Sequence, residues 1–381
     1  MGAQASDTLS RDDELALMGR ASWLYFAGGM THGEVGARLR VPAFKVQRLI
    51  AQATRDGLIR VFIDAPVAKC VSLEHELCSI HGLRECVVAP DLGEAGLPLK
   101  SLAPAGANFL LRVIREGAHR IIGLGHSRTL GAIVDYLPRL SAPELSFVAL
   151  EGSLTSSFST DPYDVIHGIS QRTGATGYFM PAPLFANSAA DRDVLLAQIG
   201  VTHVMERARN ATLWIVGIGT TTDQGFLAKN GSLDREDLVQ LNRLGARGEI
   251  LTYFHDENGG LIDTELSRRC VTLNYGELVG RNIVAAAGGP DKVEALRSIL
   301  KTGLLSGLIT DEATAIKLAS GEARHASVMK LRSNRKRTDR VRVDATERGA
   351  REKESAVLEA SASVGAKRAR SRPAGTSKDG E

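Results

Sequence analysis

Apolar residues at Leu17, Ala21, Leu24 and Tyr25 recur with helical spacing, and Gly28-Gly29 closes that stretch. Thr31 is placed to cap a second, very short helix with Val35 and Leu39 on one face. Arg40-Val41 makes a tight connection, and Pro42 suits the first position of a third helix, where a missing N–H is tolerated. That helix carries Val46, Leu49, Ile50 and Ala53 at i, i+3, i+4 and i+7, and Gly57 ends it. Leu58-Ile59-Arg60-Val61-Phe62-Ile63 then reads as a β wing. The order helix, short helix, turn, helix, strand predicts a winged helix-turn-helix over residues 1–64.

In such units the start of the second motif helix meets base edges in the major groove of duplex DNA. Here the outer face of that helix offers Ala43, Phe44, Gln47 and Arg48, with Lys45 nearby. Glutamine suits adenine, apolar groups suit a thymine methyl, and arginine suits guanine or phosphate. Thr31, Ala43, Phe44, Lys45, Gln47 and Arg48 are therefore the expected DNA-facing set. Six Lys/Arg stand against two acids from Met30 to Arg60, so the local field favours a polyanion. A plain three-helix bundle is the alternative, and the basic-faced third helix followed by a strand weighs against it.

From Cys86 onward the period changes. Strand-length apolar runs occur at Cys86–Ala89, Arg120–Leu124, Leu145–Leu150, Gly177–Met180, Leu213–Gly217, Ile250–Tyr253 and Ile283–Ala287. Helical segments alternate with them at Asn108–Glu116, Thr129–Leu137, Tyr163–Thr173, Arg192–Ala197, Val201–Arg207, Asp234–Leu244, Asp291–Lys301 and Asp311–Ala319. Short, fully apolar strands between helices predict an α/β domain with a Rossmann-like parallel sheet covered on both faces. Ligands in such sheets bind beyond the carboxyl ends of the strands. Three strands there run into small or polar clusters: Gly125, His126, Ser127, Arg128 and Thr129; Gly152 and Ser153; Gly217, Gly219 and Thr220. Glycines admit a ligand to the backbone, and helix-opening N–H groups suit hydroxyls or an anion. Lys292, following Gly288-Gly289-Pro290 at another helix start, adds a point charge, and Asp256 completes the expected effector set.

Composition narrows this further. A chain of 381 residues with 43% apolar content fits two domains and an extension. No apolar run reaches eighteen residues and the first residues include Asp and Glu, so neither a membrane span nor a secretory leader is expected, and a cytoplasmic location fits. Cys70, Cys78, Cys86 and Cys270 show no C-x-x-C pairing and no clustered His, and read as buried thiols; no metal and no cofactor is expected. Residues 321–381 hold 16 Lys/Arg against 9 Asp/Glu, which more than accounts for the chain's net +3. That segment is poor in large apolar residues and is expected to be a disordered basic tail.

Several motifs together resemble a known family. They are Met30-Thr31-His32-Gly33-Glu34-Val35 with Lys45-Val46-Gln47-Arg48-Leu49-Ile50, then Gly125-His126-Ser127-Arg128-Thr129-Leu130 and Val216-Gly217-Ile218-Gly219-Thr220. Gly288-Gly289-Pro290-Asp291-Lys292 and Gly303-Leu304-Leu305-Ser306-Gly307-Leu308-Ile309-Thr310-Asp311-Glu312 complete the series. Across Leu15–Ser320 the chain resembles SorC-family sugar-binding transcriptional regulators. Ala89-Pro90-Asp91-Leu92, Asp164-Val165-Ile166-His167 and Pro183-Leu184-Phe185-Ala186-Asn187 resemble the branch that regulates erythritol catabolism. The resemblance implies an effector and oligomerisation domain over 65–320, folded like sugar-phosphate isomerases and aminosugar-phosphate deaminases. It also implies a homo-oligomer (dimer or tetramer) that represses by binding operator DNA and responds to a sugar, polyol or sugar phosphate.

Four features depart from the family. Arg40 stands where relatives mostly have Gly in the turn, and a left-handed Arg carries strain. Pro42-Ala43-Phe44 replaces the usual start of the reading helix, and Glu151 stands where some phosphate-binding relatives place Arg. The basic tail has no counterpart. Two rival functions follow from the same fold. One is an active sugar-phosphate isomerase or deaminase with a DNA-binding appendage, drawing its acid and base from Asp223, His255, Asp256, Glu257 and Asp311. The other is a constitutive DNA-binding protein whose large domain only oligomerises.

Overall fold

A computed structural model describes residues 11–59, 68–154 and 165–320. Three helices open it: α1 (Arg11–Phe26), α2 (His32–Leu39) and α3 (Ala43–Arg55). Their shared core is Ala21, Val35, Val46 and Ile50, extended by Met18, Leu49 and Ala53. Thr31 caps α2 in a reciprocal box, its hydroxyl accepting from the Glu34 N–H while the Glu34 carboxylate accepts from the Thr31 N–H at 2.8 Å. Gly36 lets the turn fold back on the helix, since a Cβ there would lie 2.6 Å from the Val41 carbonyl oxygen.

Arg40 does occupy the left-handed region, at φ 56° and ψ 41°. Pro42 sits one position earlier than its sequence suggests, as the residue before α3. After α3, Gly57 at φ 70° turns the chain, and the N–H groups of Gly57 and Leu58 reach back to the carbonyls of Thr54 and Ala53. Leu58 and Ile59 thus form a helix stop rather than the start of a strand, and Ile59 packs into the core. The remainder of the expected wing, Arg60–Ile63, lies outside the described residues, as does the expected tail.

The rest of the structure runs α4 (Ala68–His81), β1 (Glu85–Ala89), α5 (Leu99–Glu116), β2 (Ile121–Leu124), α6 (Arg128–Tyr136), β3 (Ser146–Ala149), α7 (Val165–Thr173) and β4 (Thr176–Tyr178). It continues with α8 (Ala189–Leu196), α9 (Ile199–Asn210), β5 (Leu213–Val216), β6 (Gly219–Thr220), α10 (Phe226–Lys229), α11 (Arg235–Arg243), β7 (Gly248–Ile250), β8 (Tyr253–His255) and β9 (Leu261–Ile262). It closes with α12 (Glu265–Arg269), β10 (Ile283–Ala286), α13 (Val293–Lys301), β11 (Gly307–Asp311) and a helix over 312–320.

Seven strands form one parallel sheet in the order β1-β11-β10-β5-β2-β3-β4. Every residue of β5, β10 and β11 is buried, as expected of a sheet covered on both faces. From β2 the chain proceeds through β3 to the β4 edge, whereas from β5 it proceeds through β10 to β11 in the other direction. The neighbours β2 and β5 therefore flank the point where the winding reverses. A second, antiparallel sheet, β6-β7-β8-β9, carries its own small core around Leu227, Leu241 and Phe254.

Two expectations need correction. The run Ile250–Tyr253 is not one strand but the tip of the β7–β8 hairpin, with Leu251 and Thr252 both at positive φ (49° and 63°). An apolar residue and a β-branched one rarely occupy such a turn, so the sequence hides it. Gly307–Asp311 is a central buried strand, not the lead-in to a helix. Its Asp311 caps the helix 312–320 by accepting from the Thr314 N–H at 2.9 Å. In addition, α5 begins nine residues before the expected helix, running straight through Pro104, and α4 had no counterpart in the sequence reading.

Candidate functional site

The reversal point between β2 and β5 holds a small cavity of about 20 Å³. Such a crevice is where open α/β sheets bind ligands. After β2 the chain contributes His126, Ser127 and Arg128, and after β5 it contributes Gly217, Ile218 and Gly219. Glu151 follows β3; Glu249 and Leu251 come from the β7–β8 hairpin, and Phe226 and Lys292 complete the lining. Residues distant in sequence meet because two crossovers leave this point in opposite directions.

Local packing fixes each element. Ser127 is buried and caps α6, its hydroxyl accepting from the Leu130 N–H at 2.9 Å. Gly217 is obligatory there, since a Cβ would come within 2.4 Å of the Ser127 Cβ. Arg128 reaches the Gln224 carbonyl at 3.4 Å. Lys292 does not decorate a solvated helix. It lines the cavity and donates from Nζ to the Ile218 carbonyl, tying the α13 end of the site to the loop after β5.

Two carboxylates face these cations. Glu151 is only 6% exposed and its Oε1 accepts from the His126 N–H at 2.9 Å. Burial pushes its carboxyl up to about 7, against the pull of that N–H. Glu249 accepts from the Thr252 N–H within the hairpin. Burial, reinforced by the negative charge of Glu151, pushes it up to about 8. Burial and then the nearby Arg128 guanidinium bring Lys292 down to about 8, with Glu249 pulling the other way. The pocket is a desolvated set of opposed charges.

Of the expected effector residues, His126, Ser127, Arg128, Gly217, Gly219 and Lys292 line the cavity. Gly125 and Thr129 lie directly beside it in the loop and first turn of α6. Gly152 and Ser153 stand behind the loop after β2. The Gly152 carbonyl meets His126 Nε2 at 3.0 Å and the Ser153 hydroxyl donates to the Met180 carbonyl. The Thr220 hydroxyl pairs with that of Thr222. Asp256 is displaced from the site: it is a turn-former whose Oδ1 accepts from the N–H groups of Asn258 and Gly260 at 2.8 Å. Sequence reasoning missed Ile218, Phe226, Glu249 and Leu251, and knew Glu151 only as a departure from relatives.

The acid and base candidates for an enzyme do not assemble. Asp223, His255, Asp256, Glu257 and Asp311 are all absent from the cavity lining. Asp311 is committed to the 312–320 cap, and His255 is buried against Tyr275, where burial lowers its pKa to about 4.

On the helix-turn-helix, Ala43, Phe44, Gln47 and Arg48 are exposed along one side of α3 and Lys45 is half-buried, opposite the buried Val46, Leu49, Ile50 and Ala53. Phe44 is 65% exposed and is not among the residues of the three-helix core. Thr31 is occupied by its capping box.

Comparison with known proteins places these features in context. The Sugar-bind family model, a sugar-binding domain, matches residues 65–320. The chain is 48% identical over 304 residues to the erythritol catabolism regulatory protein EryD of Brucella abortus, covering 80% of this chain and 96% of that protein. It is 31% identical over 307 residues to the transcriptional regulator LsrR of an Enterobacter species, covering 79% and 92% respectively. The full-length sorbitol operon regulator SorC of Klebsiella pneumoniae superposes with a TM-score of 0.61 at 23% identity, over 81% of this chain and 99% of that one, a likeness of fold.

Proposed function

The chain belongs to the SorC family of sugar-binding transcriptional regulators, and from that membership we propose how its two sites divide the work. It is a regulator rather than an enzyme, and the scattered acid–base candidates agree with that. The exposed side of α3 reads duplex operator DNA. Ala43, Phe44, Gln47 and Arg48 approach base edges, Lys45 serves the phosphate backbone, and Thr31 sets the start of α2 against it.

A small sugar, polyol or sugar phosphate enters the cavity between β2 and β5 and changes the affinity for DNA. The observation that carries this reading is the pocket itself: a crevice at the reversal point, lined by the buried Glu151 and the half-buried Arg128, Glu249 and Lys292. By analogy with EryD, the genes controlled serve polyol or carbohydrate catabolism, and the chain acts as a repressor in the cytoplasm. A single reading helix offers too few phosphate contacts for tight binding at physiological salt, so the working form is a homo-oligomer, a dimer or tetramer on a partly palindromic site.

A mobility-shift titration on duplexes selected from a random pool tests the whole reading. Polyols or sugars are expected to release or shift the complex. With Lys292→Met, the same DNA is expected to bind while the ligand response is lost. An equal ligand response in that variant rejects the pocket; failure to select any duplex rejects the reading face.

A further inference from the structure

The glycine-rich loops at the carboxyl edge of the sheet look, from sequence, like seats for a phosphate. The structure fills those seats with the protein's own carboxylates. At the loop after β2, the His126 N–H is taken by Glu151, whose Oε1 would lie 3.3 Å from a Cβ on Gly125. At the loop after β10, the Gly289 N–H donates to Asp311 Oδ2 at 2.9 Å, and a Cβ on Gly288 would strike that same oxygen at 2.1 Å. At β6, a Cβ on Gly219 would lie 2.0 Å from Glu249 Oε2, so this glycine admits a carboxylate too. The glycines make room for internal anions, not for one that arrives with a ligand.

Resting on the effector reading of this cavity, we propose that Glu151 is its specificity residue. Its carboxylate holds the anion seat at the head of α6, so the pocket takes an uncharged polyol or sugar and discriminates against the phosphate ester. The His126 N–H, one of the donors a phosphate in this loop would claim, is already satisfied, and a second acidic side chain, Glu249, lines the same wall. A phosphate would have to displace the buried Glu151 side chain from that N–H and, above about pH 7 where the carboxyl ionises, accept its repulsion as well. The two cations offer little relief. Lys292 is bonded to the Ile218 carbonyl and stands near Glu249, and Arg128 reaches the Gln224 carbonyl. Ligand hydroxyls, by contrast, are donors, and each carboxylate accepts more hydrogen bonds than the single backbone N–H it already takes.

Thermal shift on the full chain at constant ionic strength and about pH 8, where Glu151 is ionised, tests this. The probes are erythritol, ribitol and sorbitol, their terminal phosphates, and inorganic phosphate as a bare anion. The wild-type melting temperature is expected to rise with an alditol and to need at least tenfold more of the corresponding ester for the same rise. Glu151→Ala, which frees the His126 N–H, is expected to shrink that ratio at least tenfold. Glu151→Gln, which keeps an acceptor for that N–H and removes the charge, serves where the alanine variant fails to fold. An ester that matches or surpasses its alditol on wild type overturns the inference. So does an unchanged ratio in a Glu151 variant that circular dichroism shows to be folded. A wild type indifferent to every compound instead rejects the effector reading of the cavity, and the inference falls with it.

Discussion

The reading helix and the effector pocket use charge in opposite ways. On α3 the chemistry is displayed: Gln47 and Arg48 are both exposed on the side of the helix away from its core. In the pocket the chemistry is withheld from water. Glu151, Glu249 and Lys292 are each driven by burial toward neutrality and held by backbone groups. A displayed charge can meet a long, strongly charged partner whose own field supplies much of the affinity. A withheld charge suits a small ligand, because each hydrogen bond in a dry site counts for more than it does in water. The difference also divides the kinds of failure: substitutions on α3 are expected to alter DNA affinity with the fold intact, whereas substitutions in the pocket disturb stability and binding together.

The sharpest way to break this contrast is the Gln47→Ala/Arg48→Ala pair. Each is expected to weaken operator binding by about 1–3 kcal/mol, with the ligand-induced rise in melting temperature unchanged. Operator titration and thermal shift on the same preparation read both halves, and an unchanged operator affinity removes the proposed reading face. Next in size, Lys292→Met should lower effector potency at least tenfold, while Thr220→Ala should change it little, since the Thr220 hydroxyl already pairs with Thr222. Isothermal titration distinguishes the two; a reversed order places the ligand nearer β6 than the cavity lining indicates.

A smaller effect concerns pH. Glu151 and Glu249 are raised from an ordinary 4.5 to about 7 and about 8, so the folded protein holds protons there that the unfolded chain has released. Their contribution to stability is present below the ordinary value and is lost as pH rises through 7 to 8. Lys292, lowered from 10.5 to about 8, acts in the other sense and only above that value. Glu151→Gln is therefore expected to melt higher than wild type by a margin that grows from about pH 5 to about pH 8. A constant margin would mean that the carboxyl is not held protonated. Smallest of all, Arg40→Gly should raise thermal stability by roughly 1 kcal/mol by relieving a left-handed arginine, leaving the pocket untouched.

The same contrast decides what the sequence made legible. The α3 face could be read because a solvent-exposed helix repeats its pattern: Val46, Leu49, Ile50 and Ala53 turn inward, so the outward set follows. The strained turn was visible at Arg40, where a single residue type conflicts with a required conformation. Loops after β2 and β5 were visible because glycine and hydroxyl residues follow apolar runs directly. The opposing wall was not. Glu249 and Leu251 reach the cavity only because a hairpin turns at Leu251-Thr252, without the glycine or asparagine that normally announces such a turn. Asp256 carried the expected chemistry but spends it on its own turn, and β11 was hidden because its five buried residues run straight into a helix. Periodicity reports how a segment meets solvent; it does not report which distant segment it meets.

The reversal of winding between β2 and β5 has a consequence for the order in which the chain becomes competent during synthesis. The proposed DNA reader is written in one short stretch, residues 11–59, whose contacts close over a few turns of helix. The proposed sensor draws on His126, Glu151, Gly217, Glu249 and Lys292, and the loop beside Lys292 is pinned by Asp311 at the end of the last strand. Contacts between positions so far apart form slowly and only after the intervening chain exists. A ribosome that stalls, or a stop codon, after residue 59 and before β11 thus yields a product that has its reader in full and no completed sensor. Such fragments keep the reading helix but lack the completed domain that would join readers into an oligomer, and are expected to occupy the operator weakly and without response to inducer.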